Sequence, residues 1–448
     1  MNSVEILRVL EDWNPWKAPW DEGIIRPFYL ERLKKQARSG HVLVITGARR
    51  SGKSFLMKQL ASALIREGAD TKDILFINFE DPRWLVRDAR LLDDIFSTYR
   101  ESLCPTGKPF VFLDEVQTVL GWERWVRTRH ELGQATMILS GSNAALLGRE
   151  LGTVLTGRHV DTVVYPLSFR EFLEFRGIPE SDSIPSATLE KQFRDYCFQG
   201  SFPALAGRSE EPNDWFLAFY DDVVEKDLVK RFKIRKVEEL KALLNFALSN
   251  ISKPITALSV SKFLKLSPET VAKFLAYFEQ AYLLFSLTRF SRGMKEREKS
   301  PRKLYCIDTA LARMVGFRTS EDFGRMAENI VFLEYRRRLS RHAGSTLFSW
   351  KDTQAGVGGP EVDFVVQNGE RIEEIAQVSM GDLVGDTRKR ELRALTQAAR
   401  RLHPERALVI TETEEGTETL PFGTVSFVPL QKWLLAPEGA GSADRSPS

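Results

Sequence analysis

Between Arg26 and about Tyr165 the chain alternates short β-type apolar runs with stretches whose apolar positions recur at helical spacing. This pattern predicts a parallel sheet flanked by helices. The expected strands are His41 to Thr46, Ile74 to Phe79, Pro109 to Leu113, Thr136 to Ser140 and His159 to Val164. From Phe169 to about Leu248 the period becomes helical. Phe169, Phe172, Leu173 and Phe175 form one stripe and Gly200-Ser201-Phe202-Pro203 marks a turn, so a helical lid is expected.

The stretch from Leu258 to Ile307 predicts two helices, Leu258 to Leu264 and Pro268 to Gln280, followed by strands Leu283 to Phe290 and Arg302 to Ile307, the order of a winged helix. Ser267 can cap the second helix, with Pro268 at its first position and Glu269 against the positive end of its dipole. After about Phe317 the pattern predicts a helix (Arg325 to Leu339), three strands (Leu347 to Trp350, Glu361 to Val366, Ile372 to Val378), a helix (Thr387 to Arg401) and a strand (Ala407 to Thr411), a separate α/β domain. The residues from Pro437 to Ser448 are small and polar with no apolar anchor, and disorder is expected there. The resulting division is 1–165, 166–250, 251–316, 317–436 and 437–448.

Composition narrows this little. The 448 residues are 43% hydrophobic and 28% charged. No apolar run approaches the ~20 residues of a membrane span, and the N-terminus lacks a cationic stretch followed by an apolar one. Three separated cysteines, Cys104, Cys197 and Cys306, suggest neither a disulfide framework nor a zinc site. A cytoplasmic protein without a membrane partner is expected. With 64 basic against 61 acidic residues the net charge is +3, so binding DNA would require a local patch. Arg289 to Lys303, and Arg336-Arg337-Arg338 with Arg341, read either as such patches or as solvated faces.

The sharpest signal follows the first strand. Gly47-Ala48-Arg49-Arg50-Ser51-Gly52-Lys53-Ser54 has the phosphate-loop spacing G-x-x-x-x-G-K-S, and a helix begins near Phe55. Gly47 and Gly52 let the backbone curl so that amides face phosphate oxygens, at a helix start whose dipole favours anions. Lys53 is expected on the β- and γ-phosphates of ATP and Ser54 on Mg²⁺. The strand Phe110-Val111-Phe112-Leu113 ends in Asp114 and Glu115. It reads as a Walker B strand, with Asp114 in the Mg²⁺ shell and Glu115 as general base toward water. Ser142 and Asn143, after the fourth strand, are candidate γ-phosphate sensors. Arg158, before the fifth, is either an arginine finger reaching a second copy or a surface ion-pair partner.

These residues resemble the prokaryotic, especially archaeal, AAA-type ATPases that carry a C-terminal domain of unknown function. The resemblance rests on the phosphate loop, Phe79-Glu80-Asp81-Pro82-Arg83, Phe112-Leu113-Asp114-Glu115-Val116-Gln117, Leu139-Ser140-Gly141-Ser142 and Thr156-Gly157-Arg158. It continues through Pro166-Leu167-Ser168-Phe169-Arg170-Glu171-Phe172, Lys303-Leu304-Tyr305-Cys306-Ile307-Asp308-Thr309 and Glu361-Val362-Asp363-Phe364, over nearly the whole chain. It implies an AAA core, a winged helix and a terminal domain related to the PD-(D/E)xK nucleases.

Such a nuclease needs two acids and a lysine converging on a metal and a water. Asp363 suits the first acid and Glu328 a helical one, but Gln377 and Ser379 stand where Glu and Lys belong, and neither supplies a charge. A retained fold without the chemistry is expected. Three outputs remain open at this level: an ATPase whose conformational change acts on DNA or a protein client, an ATP-dependent switch or scaffold with little turnover, and an ATP-regulated nuclease.

Overall fold

The computed structural model describes residues 1–143, 157–178, 184–206, 212–316, 323–342, 344–355, 359–381 and 383–436. The expected tail from Pro437 to Ser448, and Thr156 of the Thr156-Gly157-Arg158 motif, lie outside these residues. The chain divides into two units, Met1–Tyr165 with Gln280–Tyr282, and Pro166–Glu279 with Leu283–Ser448.

Five strands build the sheet of the first unit: β1 (Val42–Gly47), β2 (Ile74–Asn78), β3 (Phe110–Asp114), β4 (Thr136–Gly141) and β5 (His159–Val164). Their order is β2-β3-β4-β1-β5, and every pair is parallel. Four of the five expected strands are shifted, trimmed or lengthened by one residue. Thus β1 begins at Val42 and continues to Gly47, because Gly47 still pairs with Val164. Apolar residues fill both faces of the strands, as a sheet covered on both sides requires. One face packs against α1 (Ser3–Trp13), α4 (Ala89–Ser102) and α5 (Trp122–Glu131), the other against α2 (Pro27–Ala37) and α3 (Lys53–Arg66). Parallel pairing brings the C-terminal ends of all five strands to one edge, where Gly47, Asp114 and Gly141 lie.

The second unit opens with helices Phe169–Phe175, Ser186–Gln199, Pro212–Asp222 and Val237–Ser249. Then come β6 (Pro254–Ile255), helices Ala257–Leu264 and Pro268–Gln280, β7 (Leu284–Leu287) and β8 (Arg302–Cys306), the strands pairing antiparallel in the order β6-β8-β7. The strand expected to run to Phe290 leaves this sheet early. Ser349 N–H donates to the Thr288 carbonyl at 3.0 Å and Phe290 N–H to the Ser349 carbonyl at 2.6 Å, so residues 288–290 pair with the following sheet instead.

Within the basic segment Arg292 to Lys299, residues Met294–Lys299 form a short helix rather than an open loop. Glu296 accepts from Arg289 and Ser291, and the Arg297 guanidinium lies 4.6 Å from the Phe348 ring centre. Part of that basic patch is thus neutralised internally.

After helix Phe323–Leu339, β9 (Ser345–Lys351), β10 (Glu361–Asn368), β11 (Arg371–Ser379), β12 (Arg406–Thr411), β13 (Gly416–Leu420) and β14 (Gly423–Pro429) form a mixed sheet in the order β13-β14-β12-β11-β10-β9. Helix Gly385–Leu402 covers one face through Ala394, Leu395 and Ala398. The β13–β14 hairpin was not among the expected strands. Its first strand, Gly416-Thr-Glu-Thr-Leu420, is a polar, largely exposed edge with no apolar period to reveal it. In the Arg336-Arg337-Arg338 cluster only Arg336 is exposed. Arg337 is buried and donates to the carbonyls of Pro166 and Leu167, while Arg338 bonds Glu334 and the Trp433 carbonyl.

Candidate nucleotide site

The phosphate loop leaves β1 at Gly47, whose φ is +145° and where an added Cβ would lie 2.1 Å from the Val164 carbonyl oxygen. No other residue fits beside β5. Gly52, at φ +98°, turns the chain into α3 in the left-handed region that glycine adopts without a Cβ penalty. Between them Ala48 and Ser51 are buried, and the Ser51 hydroxyl has no hydrogen-bond partner among the described residues. Arg49 pairs with Glu80 at 2.9 Å, Arg50 adopts a positive φ of 63°, and Phe55 is exposed on the first turn of α3.

Lys53 is buried, and its ammonium donates back to the carbonyls of Gly47 and Ala48 at 3.2 and 3.1 Å. Glu115 Oε1 lies 3.6 Å from the same nitrogen. The Ser54 hydroxyl hydrogen bonds to Asp114. Two oxygen ligands suited to a hard cation are therefore already adjacent, at the mouth of a phosphate-binding turn.

Burial and the neighbouring Glu115 charge push the Asp114 carboxyl up to about 6, against hydrogen bonds from Ser140 and Ser54 and the attraction of Lys53. Burial acts on Glu115 in the same direction, but Lys53, Gln117, Arg49 and Ser142 outweigh it and hold that carboxyl below its ordinary range. The two acids thus differ in basicity although they are neighbours in sequence. Ser140, a motif residue with no role legible from its spacing, links them, donating its hydroxyl hydrogen to Asp114 Oδ1 and accepting Glu115 N–H at 3.0 Å. Ser142, which hydrogen bonds to Glu115, and Asn143 are both buried just beyond β4.

Arg158 lies elsewhere. It immediately precedes β5, whose first residue pairs with Val42 at the start of β1, so it stands at the edge opposite the phosphate loop. There it pairs with Glu131 on the surface. Arg26, also missed in the sequence, is buried and donates to the Ser51 carbonyl at 2.9 Å and the Tyr165 carbonyl at 3.1 Å, bracing the loop from the N-terminal segment.

The family model described as "AAA domain" matches residues 39–173, which contain all five strands of the first sheet, and "Domain of unknown function (DUF8612)" matches residues 190–321. The uncharacterized protein MJ1544 of Methanocaldococcus jannaschii is 31% identical over 410 residues, covering 88% of each chain. The chain belongs to this family of AAA-type ATPases. An uncharacterized protein of Haemophilus influenzae is 28% identical over 78% of this chain and 85% of its own. Among solved structures, the Walker-type ATPase PABY2304 of Pyrococcus abyssi aligns over 66% of this chain and 97% of its own, with 14% identity and a TM-score of 0.44.

The terminal sheet of this AAA-type ATPase gathers a second group of charges. Asp363 contacts Gln377 directly and Glu328 through a shared partner, and Ser379 is buried farther along β11. Gln377 and Ser379 carry no charge there, but Lys303 of β8, which has no role legible from sequence, brings a cation to the group. Its ammonium contacts Asp363 at 2.8 Å, Glu361 at 2.9 Å and Glu328 at 3.1 Å. Burial disfavours that charge, yet Asp363 and Glu328 with their neighbours hold Lys303 well above its usual value.

An ammonium has three donors, and here three carboxylates take them. Asp363 is fixed further by Val378 N–H at 3.0 Å, and Gln377 accepts Asp363 N–H at 3.3 Å. Tyr305 donates to Glu328 at 2.6 Å. The same segment also supplies Asp308, whose carboxylate accepts from Ser201 N–H, Ser201 hydroxyl and Ala310 N–H. Among the described residues no helix is long and apolar enough to cross a membrane.

Proposed function

We propose that this AAA-type ATPase hydrolyses ATP with Mg²⁺ and uses the resulting conformational change on a client. The observation that carries this reading is the convergence of Lys53, Ser54, Asp114 and Glu115 at one sheet edge, with Ser54 on Asp114 and Lys53 beside Glu115. The loop amides and Lys53 would bind the β- and γ-phosphates, and Ser54 and Asp114 would hold the cation. Bound there, Mg²⁺ supplies charge neutralisation of the phosphate oxygens. Glu115 takes a proton from water as the water oxygen bonds to the γ-phosphorus and the bond to the ADP oxygen breaks. Ser142 and Asn143 are proposed to sense the γ-phosphate. Arg158, at the opposite edge, is proposed to act only on the nucleotide of a second copy.

From helix Val237–Ser249 to β8 the order helix, strand, helix, helix, strand, strand, with the short helix Met294–Lys299 between the last two strands, supports a winged helix. Lys262 and Lys273 on the two central helices, and Lys265 at the end of the first, are exposed, which supports DNA as the client. The terminal charge cluster supports a structural role rather than cleavage, because the donors of Lys303 are all engaged. Nucleotide titrations test the site assignment. Wild type binds ATP more tightly with Mg²⁺ than without it, Lys53→Ala loses binding in both conditions, and Asp114→Ala loses the Mg²⁺ increment. An Asp114→Ala protein that keeps the full increment overturns the assignment of that residue.

A further inference from the structure

Gln117 lies two residues beyond Glu115, on a short turn that starts from an uncommon backbone. Glu115 has φ 56° and ψ 42°, the left-handed region that is costly for a side-chain-bearing residue. The turn Val116–Thr118 is closed by Thr118, whose N–H and hydroxyl both donate to the Glu115 carbonyl, at 3.2 and 3.0 Å. This fold-back brings the Gln117 amide nitrogen onto Glu115 Oε2.

The amide's orientation follows from charge, since only the NH₂ end is attracted to a carboxylate. Its oxygen Oε1 consequently points away, and it is buried without a hydrogen-bond partner among the described residues. A buried acceptor left open destabilises a fold by ~1–3 kcal/mol. A side chain kept for stability would not show this pattern. One kept for a site can.

The other carboxylate oxygen explains what Gln117 accomplishes. A direct ammonium–carboxylate bond closes to about 2.7–2.9 Å, and in this buried site nothing in the solvent screens the attraction. Glu115 Oε1 nevertheless stops 3.6 Å from Lys53, which gives two of its three donors to the carbonyls of Gly47 and Ala48. Resting on the proposal that Glu115 is the base and Lys53 the phosphate ligand, we infer that Gln117 is a positioning residue that holds Glu115 short of a direct ion pair with Lys53. The two charges stay available for separate tasks, the lysine for phosphate and the carboxylate for water. Without the amide, the carboxylate swings onto the lysine and each disables the other.

The test separates this from a role in folding and from the hydrolysis reading. Gln117→Met removes the donor at nearly constant volume. ATP affinity, measured by equilibrium binding without turnover, is expected to fall several-fold because Lys53 is captured, and kcat is expected to fall about tenfold or more. The thermal midpoint should stay level or rise, because the orphaned acceptor is gone. In a Glu115→Gln background there is no charge to capture Lys53, so adding Gln117→Met should leave ATP affinity unchanged. Gln117→Glu, which keeps the shape but loses the donor, should weaken binding as Gln117→Met does.

Wild-type affinity in Gln117→Met, an equal loss in both backgrounds, or a midpoint lowered by several degrees would each overturn the inference. Failure of the wild type to turn over would instead contradict hydrolysis, and the binding comparison would still decide the role of Gln117.

Discussion

The ammonium of Lys303 meets the carboxylate of Asp363 at 2.8 Å across a sequence separation of 60 residues, joining β8 to β10. Glu328 and Glu361 complete the shell, and the lysine side chain is only 6% exposed. Removing one partner of a buried ion pair costs more than the pair contributes, because the remaining charge keeps its desolvation penalty. Lys303→Met is therefore expected to destabilise the protein by about 3–5 kcal/mol. Adding Asp363→Asn should recover part of that loss, since the two sites are coupled. Chemical denaturation of the two single variants and the double variant measures it; strict additivity would contradict the shared role.

Glu328 makes the cluster sensitive to pH. Burial drives its carboxyl up to about 7 against the attraction of Lys303, with Asp363 adding to the rise. Glu361, Lys351, Tyr305 and Glu391 are the other titratable neighbours of the cluster. A carboxyl with a raised folded pKa binds more protons folded than unfolded, so its contribution falls as pH rises from about 4.5 to 7. Glu328→Gln imitates the protonated form and removes that decline. Relative to wild type, its thermal midpoint should be similar near pH 4.5 and higher by several degrees at pH 8. A relative loss of stability on going to pH 8 would reverse the assigned sign.

Saturation of Lys303 also has a chemical consequence. An ammonium held by three carboxylates has no donor left for a developing phosphorane. The purified protein should leave linear duplex DNA intact in Mg²⁺ or Mn²⁺ on an agarose gel. Cleavage that disappears in Asp363→Ala would show that the terminal cluster is catalytic.

At the phosphate loop the constraint is steric. A methyl group at Gly47 would fall 2.1 Å from the Val164 carbonyl oxygen, a backbone atom held in the β1–β5 ladder. Gly47→Ala should lower stability by at least ~2 kcal/mol and abolish ATP binding, because the strand or the loop must shift. Denaturant titration with a parallel nucleotide titration reads both effects. A wild-type binding curve would mean that the close approach is dispensable.

The readable parts of this molecule were those written in local order. The phosphate loop is eight consecutive residues between a strand and a helix, and Asp114 and Glu115 end an apolar strand, so their chemistry follows from spacing. The central strands were visible because their apolar runs are nearly unbroken. Lys303 was hidden for the opposite reason: it reads as the basic end of an apolar strand, and only the packing of β8, β10 and helix Phe323–Leu339 brings it to Glu328 and Asp363. Ser140 and Gln117 sit inside recognised motifs, but small polar residues near strand ends usually signal turns, and their bonds to the acids arise from the sheet order. The departure of residues 288–290 from β7 was equally silent, because the apolar pattern does not say which strand will be the neighbour.

The claim that Lys53, Ser54, Asp114 and Glu115 form a working hydrolytic site is tested most directly by steady-state phosphate release from ATP with Mg²⁺, alongside equilibrium ATP binding. Wild type should release phosphate, Lys53→Ala should neither bind nor hydrolyse, and Glu115→Gln should bind ATP while its turnover falls by about 10² or more. Wild-type release no faster than that of both variants would contradict the account.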